Sequence, residues 1–465
     1  MRLDKVVKLI LRIILIIVLP LILFKTFQYF SKAAPIKANI VVDARKLAGF
    51  INPNWKALAQ GGEEKGVRML EKVIPEVAGL YPRYIRIDHI YDYYDVVSVN
   101  KGQLSFNWQK LDETVCDIYH TGAKPFFSLG YMPPDISDDG SLISKPKKWD
   151  DWSLVVQKTI ERYSGENTRL CGQVTGSWFE DVYYEVWNEP DLETFGKWSL
   201  YGGNKDYKIL YYYSVLGANN ARNVRRFLIG GPVTTAAYQN WFQVFADYIL
   251  EKNLRVDFLS WHHYSKNPED FYQDINNLNQ WLKDDKYVRF RHLPKIISEW
   301  GYDSNPNPIA DTNIGAAHTI ASIRNLIEQQ VEMGFAFEIK DGQTPSWGIL
   351  NSLGQKKPRY FALQLLNSLD RARLQLDGEG TYVKAIASSS YNKTTIILVN
   401  YDQSNNNTEL VPLTVNNLTN GNYLIKETRL DGNITSTNIQ IPGTSLSKSI
   451  LMPANSIVAI ELLKL

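Results

Sequence analysis

The chain has 465 residues, a formal charge of +2 and 12% aromatic residues. That length exceeds one small domain and suits a large barrel with an appendage. The near-neutral charge, without a long basic stripe, argues against nucleic acid as a partner. The aromatic richness fits a carbohydrate site, because sugars stack their C–H faces on rings.

The chain opens on a membrane signal. Arg2, Lys5, Lys8 and Arg12 precede the apolar run Ile13 to Phe24, and Lys25 closes it. Counted back through Val6, the segment is long enough to span if its basic residues snorkel. The amino-side charge keeps that end cytoplasmic and sends the remainder out. Cleavage after Ala33, as from a signal peptide, is the rival reading, which the long charged gap Lys25 to Lys32 disfavours. The expectation is a protein anchored in the membrane with its catalytic domain extracytoplasmic, or a secreted one if the segment is removed.

Strand-like and helix-like stretches then alternate. Strands are expected at Gly49–Ile51, Tyr84–Asp88, Lys124–Leu129, Val182–Trp187, Arg226–Ile229, Phe258–His262, Lys295–Glu299 and Gly334–Glu338. Amphipathic stretches lie between them, at Lys65–Ala78, Trp108–His120, Trp152–Tyr163, Tyr207–Arg222, Asn240–Glu251, Phe271–Lys283, Thr312–Gln330 and Pro358–Asp370. Eight strand-then-helix units predict an α/β fold, a (β/α)8 TIM barrel. An open doubly wound sheet is the alternative, and no glycine-rich phosphate loop follows the first strand to support it.

After Asp370 helical periodicity stops. Tyr382–Ala387, Thr394–Asn400, Leu410–Val415, Tyr423–Arg429 and Ser456–Leu462 are short and β-branched, with turns such as Asp377-Gly378 and Asp431-Gly432 between them. This texture predicts a C-terminal all-β sandwich domain, packed on the barrel and structural in role. The expected organisation is a membrane anchor and linker over 1–34, a catalytic barrel over 35–370 and the β-sandwich over 371–465.

Two glutamates carry the chemistry. Glu189 ends the run Tyr183-Tyr184-Glu185-Val186-Trp187-Asn188-Glu189-Pro190, and Glu299 ends Lys295-Ile296-Ile297-Ser298-Glu299-Trp300-Gly301. Each is a buried parallel strand delivering a carboxylate to the carboxyl edge of a sheet. Two carboxylates facing one cleft are the minimum equipment for cutting a glycosidic bond. No Cys/His cluster has metal spacing, and adjacent His262 and His263 cannot put both rings on one face of a strand, so no metal or cofactor is expected. Cys116 and Cys171 are the only cysteines, and their spacing alone leaves their pairing open.

From about Asp43 to Asp370 the chain resembles glycoside hydrolase family 39, the β-xylosidase and α-L-iduronidase family of retaining (β/α)8 glycosidases. The motifs, in order, are Arg83-Tyr84-Ile85-Arg86-Ile87-Asp88-His89, Pro125 to Pro133, Glu185 to Pro190, Asp257 to Tyr264, Ser298-Glu299-Trp300, Gly348-Ile349-Leu350 and Lys357 to Ala362. Two departures stand out. Asp88 occupies a position where the family often has His, and the eighth strand reads Glu338-Ile339-Lys340-Asp341 rather than a Trp-Thr-x-Ser-Asp-like stretch. The family's sugar identity is therefore not carried over.

The resemblance implies that Glu189 is the acid/base, that Glu299 is the nucleophile, and that Asn188 bonds the sugar 2-hydroxyl. Tyr264 is placed to orient Glu299. Arg86 is placed to hold Glu299 ionised, to pair with Glu185, or to do both. His262 is either a substrate contact or a core histidine. Trp300, Trp347 and Tyr131 are candidate sugar platforms. The expected function is retaining hydrolysis of O-glycosidic bonds, endo-acting on an extracellular polysaccharide. An exo-acting β-xylosidase-like enzyme, a transglycosylase and a non-catalytic carbohydrate-binding barrel are the alternatives.

Overall fold

The computed structural model describes residues 34–61, 64–174 and 176–465. Eight parallel strands close into a barrel. They are β1 (Ala57–Gln60), β2 (Tyr84–Ile87), β3 (Lys124–Leu129), β4 (Val182–Val186), β5 (Phe227–Thr234), β6 (Phe258–Tyr264), β7 (Lys295–Gly301) and β8 (Met333–Phe337). β8 pairs with β1, which completes the ring, so β4 and β8 lie on opposite sides of it. Seven of the eight expected barrel strands are present. The exception is the first. Gly49 and Phe50 end a strand, Ile40–Phe50, that pairs with Ala372–Asp377 and Glu409–Asn416, and β1 follows one short turn later.

The strand interiors alternate as a parallel barrel requires. Ala57, Ala59, Tyr84, Phe126, Tyr183, Phe258, Ile296, Met333 and Phe335 form one apolar plug inside the ring. A second, larger core lies between the strands and the helices. The expected helix over 65–78 shrinks to Ile74–Ala78. Gly66 takes a left-handed φ of +81°, and Pro75 is accommodated only at the helix start.

Beyond two short two-stranded ribbons, the remaining strands form one nine-stranded sheet whose members share their own apolar core. The strand Ile40–Phe50 belongs to it, so this β-rich unit draws on both ends of the described chain. It is fixed to the barrel by Arg324, on the helix Asn313–Glu328, which grips Glu379 at 3.2 and 2.6 Å. The Tyr401 hydroxyl also donates to the Lys266 carbonyl at 2.5 Å. Ile386, Ile397, Val399, Ile457 and Ala459 of this sheet also join the core cluster of the barrel, and such an apolar interface suits a fixed scaffold rather than a hinge.

The basic and apolar segment expected to be an anchor lies outside the described residues. Among the described residues no helix is long and apolar enough to cross a membrane.

Cys116 and Cys171 form a disulfide across 55 residues of sequence. It ties the helix Gln109–His120 to the segment ahead of β4. Closing a loop of that length in the unfolded chain contributes about 4 kcal/mol in the chain-entropy account. Replacing both cysteines by serine should lower the melting temperature by several degrees, measured calorimetrically, without removing the fold. An unchanged melting temperature would mean the link adds nothing to stability.

Candidate active site

Above the apolar plug the barrel interior turns polar, and one side chain organises it. Arg86, on β2, is fully buried. Its Nε donates to Glu185 at 2.9 Å, one terminal nitrogen to Glu299 at 3.3 Å and the other to Asn188 Oδ1 at 2.7 Å. A planar guanidinium with fixed donors can hold three partners in set directions, which an ammonium cannot. Burial alone would lower its pKa, but the charges of Glu185 and Glu299 drive it upward, so it stays cationic.

Asn188 passes the constraint on. Its amide nitrogen donates to the Tyr131 hydroxyl at 2.9 Å. Tyr131 is itself buried, with its ring stacked on Phe195 and edge-on to Trp187. Expected as a sugar platform, Tyr131 offers no open face and instead positions Asn188. Burial, aided by the Asp88 charge, raises its hydroxyl well above the usual range, which keeps it neutral.

Glu299 depends on a break in strand alternation. In β7, Ile296 belongs to the barrel interior and Ile297 to the outer core. Strict alternation would send Ser298 and Trp300 inward and Glu299 outward. The register shifts on both sides of β7, after Trp261 of β6 and between Ile297 and Trp300. This bulge-like irregularity re-aims the side chains that follow it. Glu299 turns into the mouth, and Trp300 turns out among Phe271 and His318. Trp300, the second expected platform, is therefore fully buried in the outer core.

The Tyr264 hydroxyl donates to Glu299 Oε1 at 2.5 Å, while Arg86 holds Oε2. His262 lies between the two glutamates. Its Nδ1 is 2.8 Å from Glu189 Oε1 and 3.8 Å from Glu299 Oε2. It is fully buried and bonds a carboxylate rather than the backbone. Its neighbour His263 faces the other way and bonds Asp274. Burial lowers the His262 pKa, but Glu299 and Glu189 outweigh this and shift it up.

Burial raises the Glu299 pKa, while His262, Arg86 and the Tyr264 hydroxyl pull it down and Glu189 pushes it up again, with a net rise. The Glu189 contribution vanishes when Glu189 carries a proton. Glu299 is then left with three groups that favour its charged form. One oxygen from each carboxylate and a nitrogen of His262 all lie within 4.8 Å of one another. These donor types also suit a metal, but hydrogen bonds to Arg86, Tyr264 and His262 already use the carboxylates.

The strand end that delivers Glu189 is strained. Trp187 and Glu189 adopt left-handed φ of +76° and +41°. Such conformations cost about 1–3 kcal/mol each and concentrate at functional sites. The Glu189 amide is anchored to the Val233 carbonyl at 3.1 Å, at the end of β5.

The chain belongs to glycosyl hydrolases family 39. The family model matches residues 39–438. The chain is 26% identical over 351 residues to a β-xylosidase of Caldicellulosiruptor saccharolyticus, covering 68% of this chain and 67% of that one. It is 28% identical over 352 residues to a β-xylosidase of Geobacillus stearothermophilus, covering 66% of each. It thus spans about two thirds of the length of these curated relatives. Among solved structures, a monomeric β-xylosidase from Caulobacter crescentus CB15 superposes with TM-score 0.74 at 21% identity, over 92% of this chain and 100% of that one. The GH39 enzyme from Xanthomonas axonopodis pv. citri gives 0.75 at 17%, over 93% and 98%. At these identities the superpositions speak to the fold. Membership in the family makes the chain a glycosyl hydrolase.

Glu338, at the end of β8, is the functional group that sequence reading undervalued. It is buried, and among the described residues its side chain accepts only one long hydrogen bond, at 3.5 Å from Gln60. Burial first, then the charges of Asp341 and Glu299, push its pKa up to about 9. Such an acid is neutral at pH 7 in the folded protein and ionised in the unfolded chain. The native state is therefore penalised increasingly as pH rises from about 4.5 toward 9. Glu338→Gln removes that term. The variant should melt at the same temperature as the parent near pH 4.5 and above it at pH 8, by scanning calorimetry. A gain independent of pH would mean that Glu338 is not held neutral.

Proposed function

We propose that this glycosidase works by double displacement with retention, with Glu189 as acid/base and Glu299 as nucleophile. The observation that carries the reading is the spacing of the two carboxylates, whose nearest paired atoms with His262 fall within 4.8 Å. Retaining enzymes hold their carboxyl groups roughly 5–5.5 Å apart, and inverting enzymes leave about 6.5–9.5 Å for a water.

In the first step Glu189, protonated, gives its proton to the glycosidic oxygen as the bond to the leaving group breaks. Glu299 attacks the anomeric carbon and forms a glycosyl ester. Glu189, now ionised, takes a proton from water, and the resulting hydroxide displaces Glu299. Arg86 and Tyr264 hold the attacking carboxylate, and His262 stabilises the negative charge as it passes between the glutamates. Asn188, fixed by Arg86 and Tyr131, is the group that meets the sugar 2-hydroxyl.

Two substrate readings have support. The curated relatives are β-xylosidases, which favours exo-release of a single xylose. The amino-terminal basic and apolar segment favours an enzyme tethered outside the cytoplasm that cuts an extracellular polysaccharide internally. The Cys116–Cys171 disulfide also fits an oxidising compartment.

Glu189→Ala should lose most activity on natural linkages, whose leaving groups need a proton, and far less on activated aryl glycosides. Azide should restore part of the rate. Equal losses on both substrate types, without rescue, would remove Glu189 from this role. Glu299→Gln should fold and turn over nothing, a loss of several orders of magnitude. A fluorinated mechanism-based glycoside should label Glu299 in the parent, and labelling elsewhere would refute the assignment.

For the tether, the full chain should sediment with membranes and resist high-salt washing, while a chain beginning at Ala34 should be soluble and fully active. A mature protein whose amino terminus is Ala34 would show a cleaved signal peptide instead.

A further inference from the structure

A cavity of about 540 Å³ lies at the carboxyl ends of β8, β1 and β2. It is lined by Phe337, Glu338 and Trp347 from β8 and its loop, by Glu64 after β1 and by Tyr93 after β2. That volume is in the range of small-ligand sites. Glu189, Glu299 and Asn188 are not among its lining residues, so the cavity lies beside the point of attack rather than on it. Another hollow, about 720 Å³ around Cys116 and Cys171, contains none of the barrel-mouth carboxylates that concern the reaction.

Topology gives the cavity a polarity. The leaving group departs over Glu189, beyond β4. The retained sugar sits over Glu299 on β7. β8 is the next strand round the ring and lies opposite β4. A chain crossing the mouth from the leaving-group side therefore reaches the β8–β1–β2 arc on its non-reducing side. The cavity offers what a pyranose needs there. Trp347 is half-buried, with its indole N–H tethered to the Asp303 carbonyl at 3.3 Å and its ring edge-on to Phe337. Tyr93 is half-buried and has one face stacked on His89, at 4.0 Å between centroids. Both rings are thus oriented before any ligand arrives, which lowers the ordering cost of binding. Glu338 supplies a polar group to the cavity wall, close enough to Glu299 to feel its charge.

We propose that this cavity is a second glycone-side subsite, which holds the sugar next upstream of the one under attack, with Trp347 and Tyr93 as its rings and Glu338 as its hydrogen-bonding group. The proposal rests on the reading of Glu189 as acid/base, because that assignment sets the direction of the chain. Glu338 remains protonated at neutral pH, so it donates to a sugar hydroxyl, and Glu64 and Lys65 add one acidic and one basic group to the cavity wall. The enzyme would then prefer a chain to a single glycosyl unit.

The test uses matched 4-nitrophenyl β-glycosides carrying one or two sugars, from the xylose, glucose, galactose and mannose series. For the sugar accepted, the two-sugar substrate should have kcat/KM at least tenfold above the one-sugar substrate. That ratio should fall toward one in Trp347→Ala, and also in Tyr93→Ala, which serves if the first variant does not fold. A parent ratio near one, or a high ratio that survives both substitutions, would overturn the subsite while leaving the catalytic assignment intact. A folded parent that turns over no member of the panel would instead overturn the glycosidase mechanism and this inference with it.

Discussion

A single buried cation governs this active site. Arg86 has no access to water, so its charge must be answered within the barrel, and Glu185 and Glu299 answer it. Removing a partner from such a cluster costs roughly 3–5 kcal/mol, because the remaining charge stays buried. The same bonds that satisfy Arg86 fix the Glu299 carboxylate and, through Asn188, the strand end that carries Glu189. Stability and catalytic geometry are therefore the same interactions seen from two sides. A guanidinium is needed because three partners in different directions must be held by one planar group.

Much of this was legible in the sequence because barrel strands are apolar runs that end in chemistry. Seven of the eight strands and both glutamates follow from that pattern, while the Arg86–Glu185, Arg86–Glu299 and Tyr264–Glu299 contacts were expected alongside the family resemblance. The first barrel strand did not, because Ala57–Gln60 is only four residues long, while Gly49–Phe50 ends a longer β-rich stretch that pairs elsewhere. Among the strands of the β-rich unit, Ile434–Ile441 was also invisible. It is exposed almost throughout, so no alternation marks it.

The site residues misjudged from sequence share one cause. Trp300 was expected at the mouth because it follows Glu299, and the irregularity in β7 sends it outward. Sequence alternation cannot show an irregularity that only pairing with β6 and β8 defines. His262 was read as ambiguous because its partner, Glu189, lies 73 positions away in the chain. Glu338 was noticed only as a departure from the family pattern. Its burial and its neutral state depend on Asp341, Asp88 and Glu299 converging from three strand ends. An acid held neutral at a cost in stability is the kind of feature that function, rather than folding, retains.

The account's central claim is that the two glutamates act in succession from opposite faces of the anomeric carbon. The stereochemistry of the first product reports this directly. Proton NMR of an aryl β-glycoside during hydrolysis by the parent enzyme should show the β-anomer of the released sugar first, with the α-anomer growing later by mutarotation. An α-anomer that appears first would mean a single displacement by water and would contradict the roles given to Glu189 and Glu299.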